Sequence, residues 1–386
     1  MTPPRLLALT TSREEGGAET HLRVTLAEVA ARGYEVHVAL PGGLAGTARL
    51  REDLRAGGLR VHALALGRPT RSRAGAYFAI ATDAATTLAM IARVRPDAVL
   101  VNLPTPEASP GALLACALAR VRTTAIFHLV RSDLRVTPMR RRMYRALARS
   151  RQSWVCVSQD NRATLAAGFG VAPERIAVVR NGAAHAPQAA GGREAVLGTL
   201  GIAADAVLVL TTGRLGEQKG HRLIVAALPR LVALEERLVF VWAGDGPLRA
   251  ELTDAVSGLG LERHVRVLGR RDDVPALLAA ADLFLMPSRD EGAPLALIEA
   301  MLAGVPALVS DVGALTEIIE DGRNGLVFQS GDPDALVAAL ARALGHPDDL
   351  AQMASRAREQ AQAELTLERM LERLMPHVLP SGGPGP

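Results

Sequence analysis

The stretch "DLFLMPSRDEGAPLALIEAM" (282–301) changes its period midway and so decides the architecture. Leu283 to Met286 form a short apolar run of strand length, and Pro287 ends it. Ser, Arg, Asp, Glu and Gly then make a polar turn. From Pro294 the apolar residues recur at helical spacing, and a proline suits the first turn of a helix, where its missing N–H costs nothing. A strand that runs through a tight loop into a helix is one half of a βαβ unit, whose strands lie parallel in a covered sheet.

The same alternation extends in both directions. "AVLVLTTGRL", "RLVFVWAGDG", "VRVLGR", "PALVSDVG" and "GLVFQ" read as further strands of this series. An earlier series holds "RLLALTTS", "EVHVALP", strands at 97–104 and 123–130, and "SWVCVS", with "AETHLRVTLAEVAARG" as the first helix, closed by Gly33. Between the series, "NGAAHAPQAAGGRE" (181–194) is rich in Ala, Gly and Pro, lacks periodicity and reads as a linker. A chain of 386 residues has room for two domains. Two doubly wound α/β domains are expected, joined near 183–193.

Composition excludes several classes. Hydrophobic residues make up 49% and aromatics 3%, so packing is expected to be mostly aliphatic. Cys116 and Cys156 both sit in apolar runs without short spacing, which argues against a disulfide framework or a zinc site and fits a reducing compartment. No metal motif appears among the nine histidines. The apolar run before Thr10 is too short for a signal peptide, and no uninterrupted apolar run has the length of a membrane span. A formal charge of +4 suits anionic partners, yet basic residues without neighbouring aromatics do not suit nucleic acid.

In doubly wound domains ligands bind at the carboxyl ends of the strands. Three loops stand out there: "SREEGGAE" (12–19), "GRLGEQKG" (213–220) and "SRDEGAPLALIEAM" (288–301). None carries G-x-G-x-x-G or a Walker A sequence, so dehydrogenase and NTPase readings lose their support. At the third loop, the backbone amides of Gly292 and Ala293 precede a helix N-terminus, where an anion is favoured. Glu291 lies before that helix and Glu299 in its second turn; two such carboxylates can accept hydrogen bonds from sugar hydroxyls on either side of a bound phosphate. Arg214 and Lys219 add two cations in a glycine-punctuated loop, suited to the charge on a departing diphosphate. Lys219 is the one lysine among 44 basic residues, a compact point charge where arginine's fork is bulky.

"GRLGEQKG", "AGDGPLRAEL", "VRVLGRRDDVPALLAAADLFLMPSRDEGAPLALIEAMLAGVPALVSDVGALTEII" and "NGLVF", in this order, resemble the donor domain of retaining glycosyltransferases of family 4, which have the GT-B fold. The spacing Glu291 to Glu299 is the most specific element. "GGAETHL" (16–22), "FHLVRSD" and "VSQDNRATL" extend the resemblance more loosely over the first half. The resemblance implies two Rossmann-like domains facing each other across a cleft: 1–185 for the acceptor, 186–365 for the nucleotide-sugar donor, and 366–386 as a helix crossing back plus a disordered tail. It implies that Arg214 and Lys219 hold the diphosphate and Glu299 the ribose, that Glu291 contacts the transferred sugar, and that Arg270 flanks the base. Gly292, Ala293, Pro294 and Leu295 complete the donor site, Gly16 and Gly17 adjoin the diphosphate, and His128 hydrogen-bonds the sugar. Neither a metal nor a cofactor is implied beyond the nucleotide-sugar co-substrate. This sequence has Ala293 where relatives often have an aromatic, and "NG" at 181–182 is followed by "AAH" where they have Asp.

The expected activity is retaining transfer of a sugar to an acceptor hydroxyl on a glycan, lipid or small molecule. The alternatives are a GT-B epimerase or hydrolase acting on sugar nucleotides, or a non-catalytic subunit that binds them. In "TPMRRRMYRALARSR" (137–151), Arg141, Arg145 and Arg149 oppose Met139, Met143 and Leu147. This cationic amphipathic helix implies a cytoplasmic protein in peripheral contact with an anionic membrane, or an ordinary surface helix with its apolar side in the core.

Overall fold

The computed structural model describes residues 3–64, 66, 73–184 and 192–380. It divides into two compact units, Met1–Asn181 with Arg369–Pro386, and Gly182–Glu368. Most of the expected linker (185–191) and the terminal residues 381–386 lie outside the described residues.

Unit 1 holds seven parallel strands, β1 (Arg5–Thr10), β2 (Glu35–Pro41), β3 (Arg60–Leu64), β4 (Ala98–Leu103), β5 (Arg122–Phe127), β6 (Gln152–Cys156) and β7 (Ile176–Val178). Their order is β3-β2-β1-β4-β5-β6-β7. The crossover helices are α1 (Gly17–Ala31), α2 (Ala48–Ala56), α3 (Arg73–Val94), α4 (Pro110–Ala119), α5 (Pro138–Leu147) and α6 (Gln159–Phe169). Unit 2 holds β8 (Val207–Thr212), β9 (Leu238–Ala243), β10 (Val265–Gly269), β11 (Leu283–Met286), β12 (Ala307–Ser310) and β13 (Leu326–Phe328), in the order β10-β9-β8-β11-β12-β13. Its helices are α7 (Gly192–Thr199), α8 (His221–Leu234), α9 (Arg249–Gly258), α10 (Val274–Ala280), α11 (Leu295–Ala303), α12 (Pro333–Gly345) and α13 (Pro347–Glu364). The last helix, α14 (Leu367–Val378), belongs to unit 1 from Arg369 onward, where Arg122 and Thr124 donate to the Pro376 and His377 carbonyls.

Each sheet reverses its strand order once, between β1 and β4 in unit 1 and between β8 and β11 in unit 2. At such a point neighbouring loops leave on opposite faces and open a crevice at the strand ends. The strands read as continuous apolar runs because both faces are covered: all six residues of β9 are buried. Along β8, Leu208 and Leu210 pack toward α11 and α13, whereas Val209 packs with Phe240 and Trp242 beneath α8.

Packing is not wholly aliphatic. Unit 1 gathers Phe127, Tyr144, Trp154 and Phe169 into one nest, with Tyr144 stacked on Phe169 at 3.7 Å. Few aromatics suffice because they are concentrated. Cys116 and Cys156 are free and buried, and burial pushes the Cys116 thiol up to about 12. Helix α3 (within Gly75–Val94) is long and apolar enough to cross a membrane. Here it joins β3 to β4 of one sheet and packs on α4, so it serves as a crossover.

The loops after β8, β9 and β11 approach closely. Gly220 has φ +70°, and a Cβ there would fall 1.8 Å from the Pro287 carbonyl oxygen. Gly220→Ala should therefore cost at least about 2 kcal/mol, measured by denaturant unfolding. Gly216→Ala, whose Cβ meets nothing within 4 Å, should stay within about 0.5 kcal/mol.

Candidate active site

The switch point of unit 2 brings the loops after β8 and β11 together through their backbones. Arg289 N–H donates to the Gln218 carbonyl at 2.7 Å, and Gln218 Nε2 donates to the Asp290 carbonyl at 2.8 Å. The β9 loop joins from the other side, with Gly213 N–H donating to the Ala243 carbonyl and Leu215 N–H to that of Asp245, both at 3.0 Å. Gly244 permits this approach: a Cβ there would lie 1.8 Å from the Gly213 carbonyl oxygen.

On this frame Lys219 Nζ meets Glu291 Oε1 at 2.6 Å, with side chains 21% and 5% exposed. Ser288 Oγ donates to the same Oε1 at 2.7 Å, and the Ser310 hydroxyl in turn holds the Ser288 carbonyl at 2.6 Å. Oε2 of Glu291 carries no hydrogen bond from the described residues. Arg214 is exposed on the same loop as half-buried Lys219, and Arg270 is exposed at the end of β10. The structure thus joins Lys219 to Glu291 directly, a contact that spacing alone did not reveal. Ser288 and Gln218 were missed as well. Ser288 sits fully buried three residues before Glu291, and a hydroxyl at a buried strand end is the signal that could have marked it.

Helix α11 begins at Leu295, with Pro294 in the extended cap position rather than the first turn. Gly292 and Ala293 precede that cap, as expected. Glu299 lies five residues into α11, half-buried and without a hydrogen bond or ion pair to any described residue. Burial alone raises its carboxyl to about 7. A partnerless carboxyl kept costly to ionise at a strand-end crevice is a mark of a binding site.

Unit 1 builds a second polar cluster at its own switch point. Glu19 accepts from Gly16 N–H at 2.8 Å and from the Ser12 hydroxyl, which braces the loop between β1 and α1. Burial raises the Glu19 carboxyl. Asn102, at the end of β4, turns its nitrogen to the Ala18 carbonyl and its oxygen to His128 Nε2 at 2.6 Å. Nε2 of His128 therefore carries the proton and Nδ1 the lone pair. Burial holds His128 well below the ordinary histidine range, with His21 edge-on at 4.9 Å and itself lowered to about 4. Both rings are neutral at physiological pH. At Gly16, φ is −159° and a Cβ would touch only Glu19 Oε2, at 3.5 Å, so this fold does not itself require glycine there.

Two parallel sheets of this order, each flanked by helices, match the GT-B architecture, and comparison with known proteins agrees. Two family profiles match successive parts of the chain: Glycosyltransferase Family 4 over residues 15–186 and Glycosyl transferases group 1 over residues 193–360. The chain belongs to glycosyltransferase family 4. Among solved structures, it is similar to Anabaena HepE in complex with UDP, with TM-score 0.79 and 22% identity over 96% of this chain and 98% of that one. It is also similar to WaaG, a glycosyltransferase involved in lipopolysaccharide biosynthesis, with TM-score 0.72 and 20% identity over 98% and 100%. Curated relatives include the UDP-Gal:alpha-D-GlcNAc-diphosphoundecaprenol alpha-1,3-galactosyltransferase of Escherichia coli, 29% identical over 49% of this chain and 50% of the relative. Another is the alpha-maltose-1-phosphate synthase of Mycolicibacterium smegmatis, 33% identical over 50% and 51%. The chain spans about half the length of the curated relatives it matches.

Because the Glu299 carboxyl is raised when folded, its contribution to stability is complete below the ordinary carboxylate range and is lost as pH rises through about 7. Glu299→Gln should raise the melting temperature at about pH 8 and much less at about pH 5. Equal effects at both, read by differential scanning calorimetry, would contradict the environment described.

Proposed function

We propose that this protein is a retaining glycosyltransferase that moves a sugar from a nucleoside diphosphate sugar to an acceptor hydroxyl during synthesis of a cell-envelope glycan or glycolipid. The observation that carries the reading is the Lys219–Glu291 pair, which joins a cation and a carboxylate from the two loops of one switch point. The matched relatives are transferases and synthases by name, which favours transfer over epimerisation or hydrolysis.

In this reading Lys219 and Arg214 take the diphosphate, and Glu291 uses Oε2 for a hydroxyl of the transferred sugar while Oε1 stays with Lys219 and Ser288. Glu299 accepts from the ribose hydroxyls, and the loop at Arg270 borders the base. Gly292, Ala293, Pro294 and Leu295 supply the backbone at the α11 entrance. In unit 1, Gly16 caps and Gly17 opens α1 at the end of a loop that Glu19 braces, and His128 offers Nδ1 as an acceptor for a sugar hydroxyl.

The reaction we infer keeps the anomeric configuration. The bond from the anomeric carbon to the phosphate oxygen breaks, the acceptor oxygen bonds on the face that the diphosphate leaves, and the acceptor's proton passes to a phosphate oxygen. Charge growing on the diphosphate meets cations held by the fold in advance, the arrangement that contributes most to such reactions. With Lys219 and Arg214 in that role the chemistry runs without a metal ion or further cofactor. We further propose a cytoplasmic location and peripheral contact with membrane through 137–151; the membrane contact is supported by Arg142, Arg145 and Arg149, which are exposed and have no ion-pair partner among the described residues.

A panel of UDP, GDP, ADP and their sugars should raise thermal stability for one base family, by about 2.7 kcal/mol at a hundredfold excess over Kd. Lys219→Ala should abolish that gain and lower turnover roughly 10²-fold. Stabilisation by no nucleotide, or undiminished in Lys219→Ala, would overturn the assignment.

A further inference from the structure

At the switch point of unit 1 every polar atom of His128 but one is held by the protein. Its N–H donates to the Leu103 carbonyl at 3.0 Å, and its carbonyl accepts from Asn161 Nδ2 at 3.0 Å. The same Asn161 side chain accepts from Val130 N–H at 3.0 Å, so a buried amide from α6 fastens the turn after β5 at two points. On the ring, Nε2 lies 2.6 Å from Asn102 Oδ1. Nδ1 makes no hydrogen bond with a described residue, yet it is not among the polar atoms sealed without a partner, so it reaches solvent.

Asn102 can present either end of its amide, and the two ends have opposite consequences. The oxygen accepts only from a protonated Nε2, whereas the NH2 group donates only to an unprotonated one, which would move the ring proton to Nδ1. The choice is made by the carbonyl of Ala18, in the first turn of α1, which lies 3.4 Å from Asn102 Nδ2. The reversed amide would set oxygen against oxygen there. Asn102 is 1% exposed, so neither end can turn to bulk water instead.

The first turn of α1 is itself braced. One Glu19 oxygen accepts from Gly16 N–H at 2.8 Å, and the other accepts from the Ser12 hydroxyl. Ser12 also meets the hydroxyl of Thr10 at 2.8 Å, and Thr10 is the β1 residue in register with Asn102. The buried Glu19 thus holds the Ala18 carbonyl in place, that carbonyl orients Asn102, and Asn102 assigns the proton on His128.

We infer that Asn102 is a positioning residue: it locks His128 as the neutral tautomer with its proton on Nε2 and so keeps Nδ1 as the hydrogen-bond acceptor for a sugar hydroxyl. A ring free to choose would spend part of its time with a proton on Nδ1, unable to accept. Burial holds His128 well below the ordinary histidine range and so excludes the doubly protonated form at physiological pH, and Asn102 selects between the two neutral forms. The inference rests on the preceding reading for the identity of the hydroxyl, but not for the tautomer.

The tautomer is read from long-range 15N NMR correlations of the full chain labelled with 15N-histidine, His128 being identified by the signal missing in His128→Gln. The unsubstituted chain should show one neutral form, protonated at Nε2. Asn102→Leu removes the acceptor and should populate the Nδ1-protonated form as well. Asn102→Asp offers only acceptors and should keep the proton on Nε2. A melting transition confirms that each variant is folded. In parallel, UDP, GDP and ADP are compared with UDP-glucose, GDP-glucose and ADP-glucose by calorimetry. One glucose conjugate should bind more tightly than its bare nucleotide, and Asn102→Leu should weaken that conjugate about tenfold while binding the bare nucleotide unchanged. An unsubstituted ring protonated at Nδ1, a tautomer unchanged in Asn102→Leu, or one equally disturbed in Asn102→Asp would overturn the lock. A changed tautomer with the conjugate's advantage intact would overturn the sugar contact. Failure of all six compounds to bind would overturn the preceding reading and the sugar contact with it, while the NMR result still decides the lock.

Discussion

The contact between Lys219 and Glu291 is the constraint around which unit 2 is arranged. Each charge comes from a different loop, and the carboxylate is almost wholly buried. Removing one partner of such a pair typically costs several kcal/mol, because the other charge is left without compensation. The pair therefore locks the β8 loop to the β11 loop while keeping a cation and a carboxylate in the crevice. Its second carboxylate oxygen stays available, so the same pair can serve both fold and chemistry.

Close backbone approach makes this contact possible. With Gly220 in the left-handed region against Pro287 and Gly244 against Gly213, three strand-end loops pack at distances that side chains would forbid. Glycine here is selected by geometry. Glu299, its carboxyl raised by burial, and Oε2 of Glu291, which takes no hydrogen bond from the described residues, remain at the edge of this packed frame, where the proposed sugar nucleotide would supply the missing hydrogen bonds.

Strands buried on both faces, such as β9, announced themselves as apolar runs, and the loops that follow them carried the candidate residues in plain view. The edge strand β3 did not. Its Arg60 and His62 alternate with apolar residues, and three of its five positions are only half-buried, so no apolar run forms. The concentration of aromatics around Trp154 was equally hidden, because composition counts rings without locating them. In the site, the carboxylate spacing was legible along one segment, while the Lys219–Glu291 contact was not, since 72 residues separate the partners. Helix α5 shows the opposite case: its pattern was read correctly as amphipathic, yet the pattern alone does not say whether the apolar side meets core or lipid.

The single lysine of the chain allows the central claim to be tested without interference. Protein labelled with 13C,15N-lysine gives one lysine Nζ resonance by NMR, that of Lys219. If the Lys219–Glu291 pair receives the donor's diphosphate, titration with the nucleotide that stabilises the protein should shift this resonance and saturate with the same Kd as the thermal effect. A lysine resonance that stays fixed while the nucleotide binds would contradict the account.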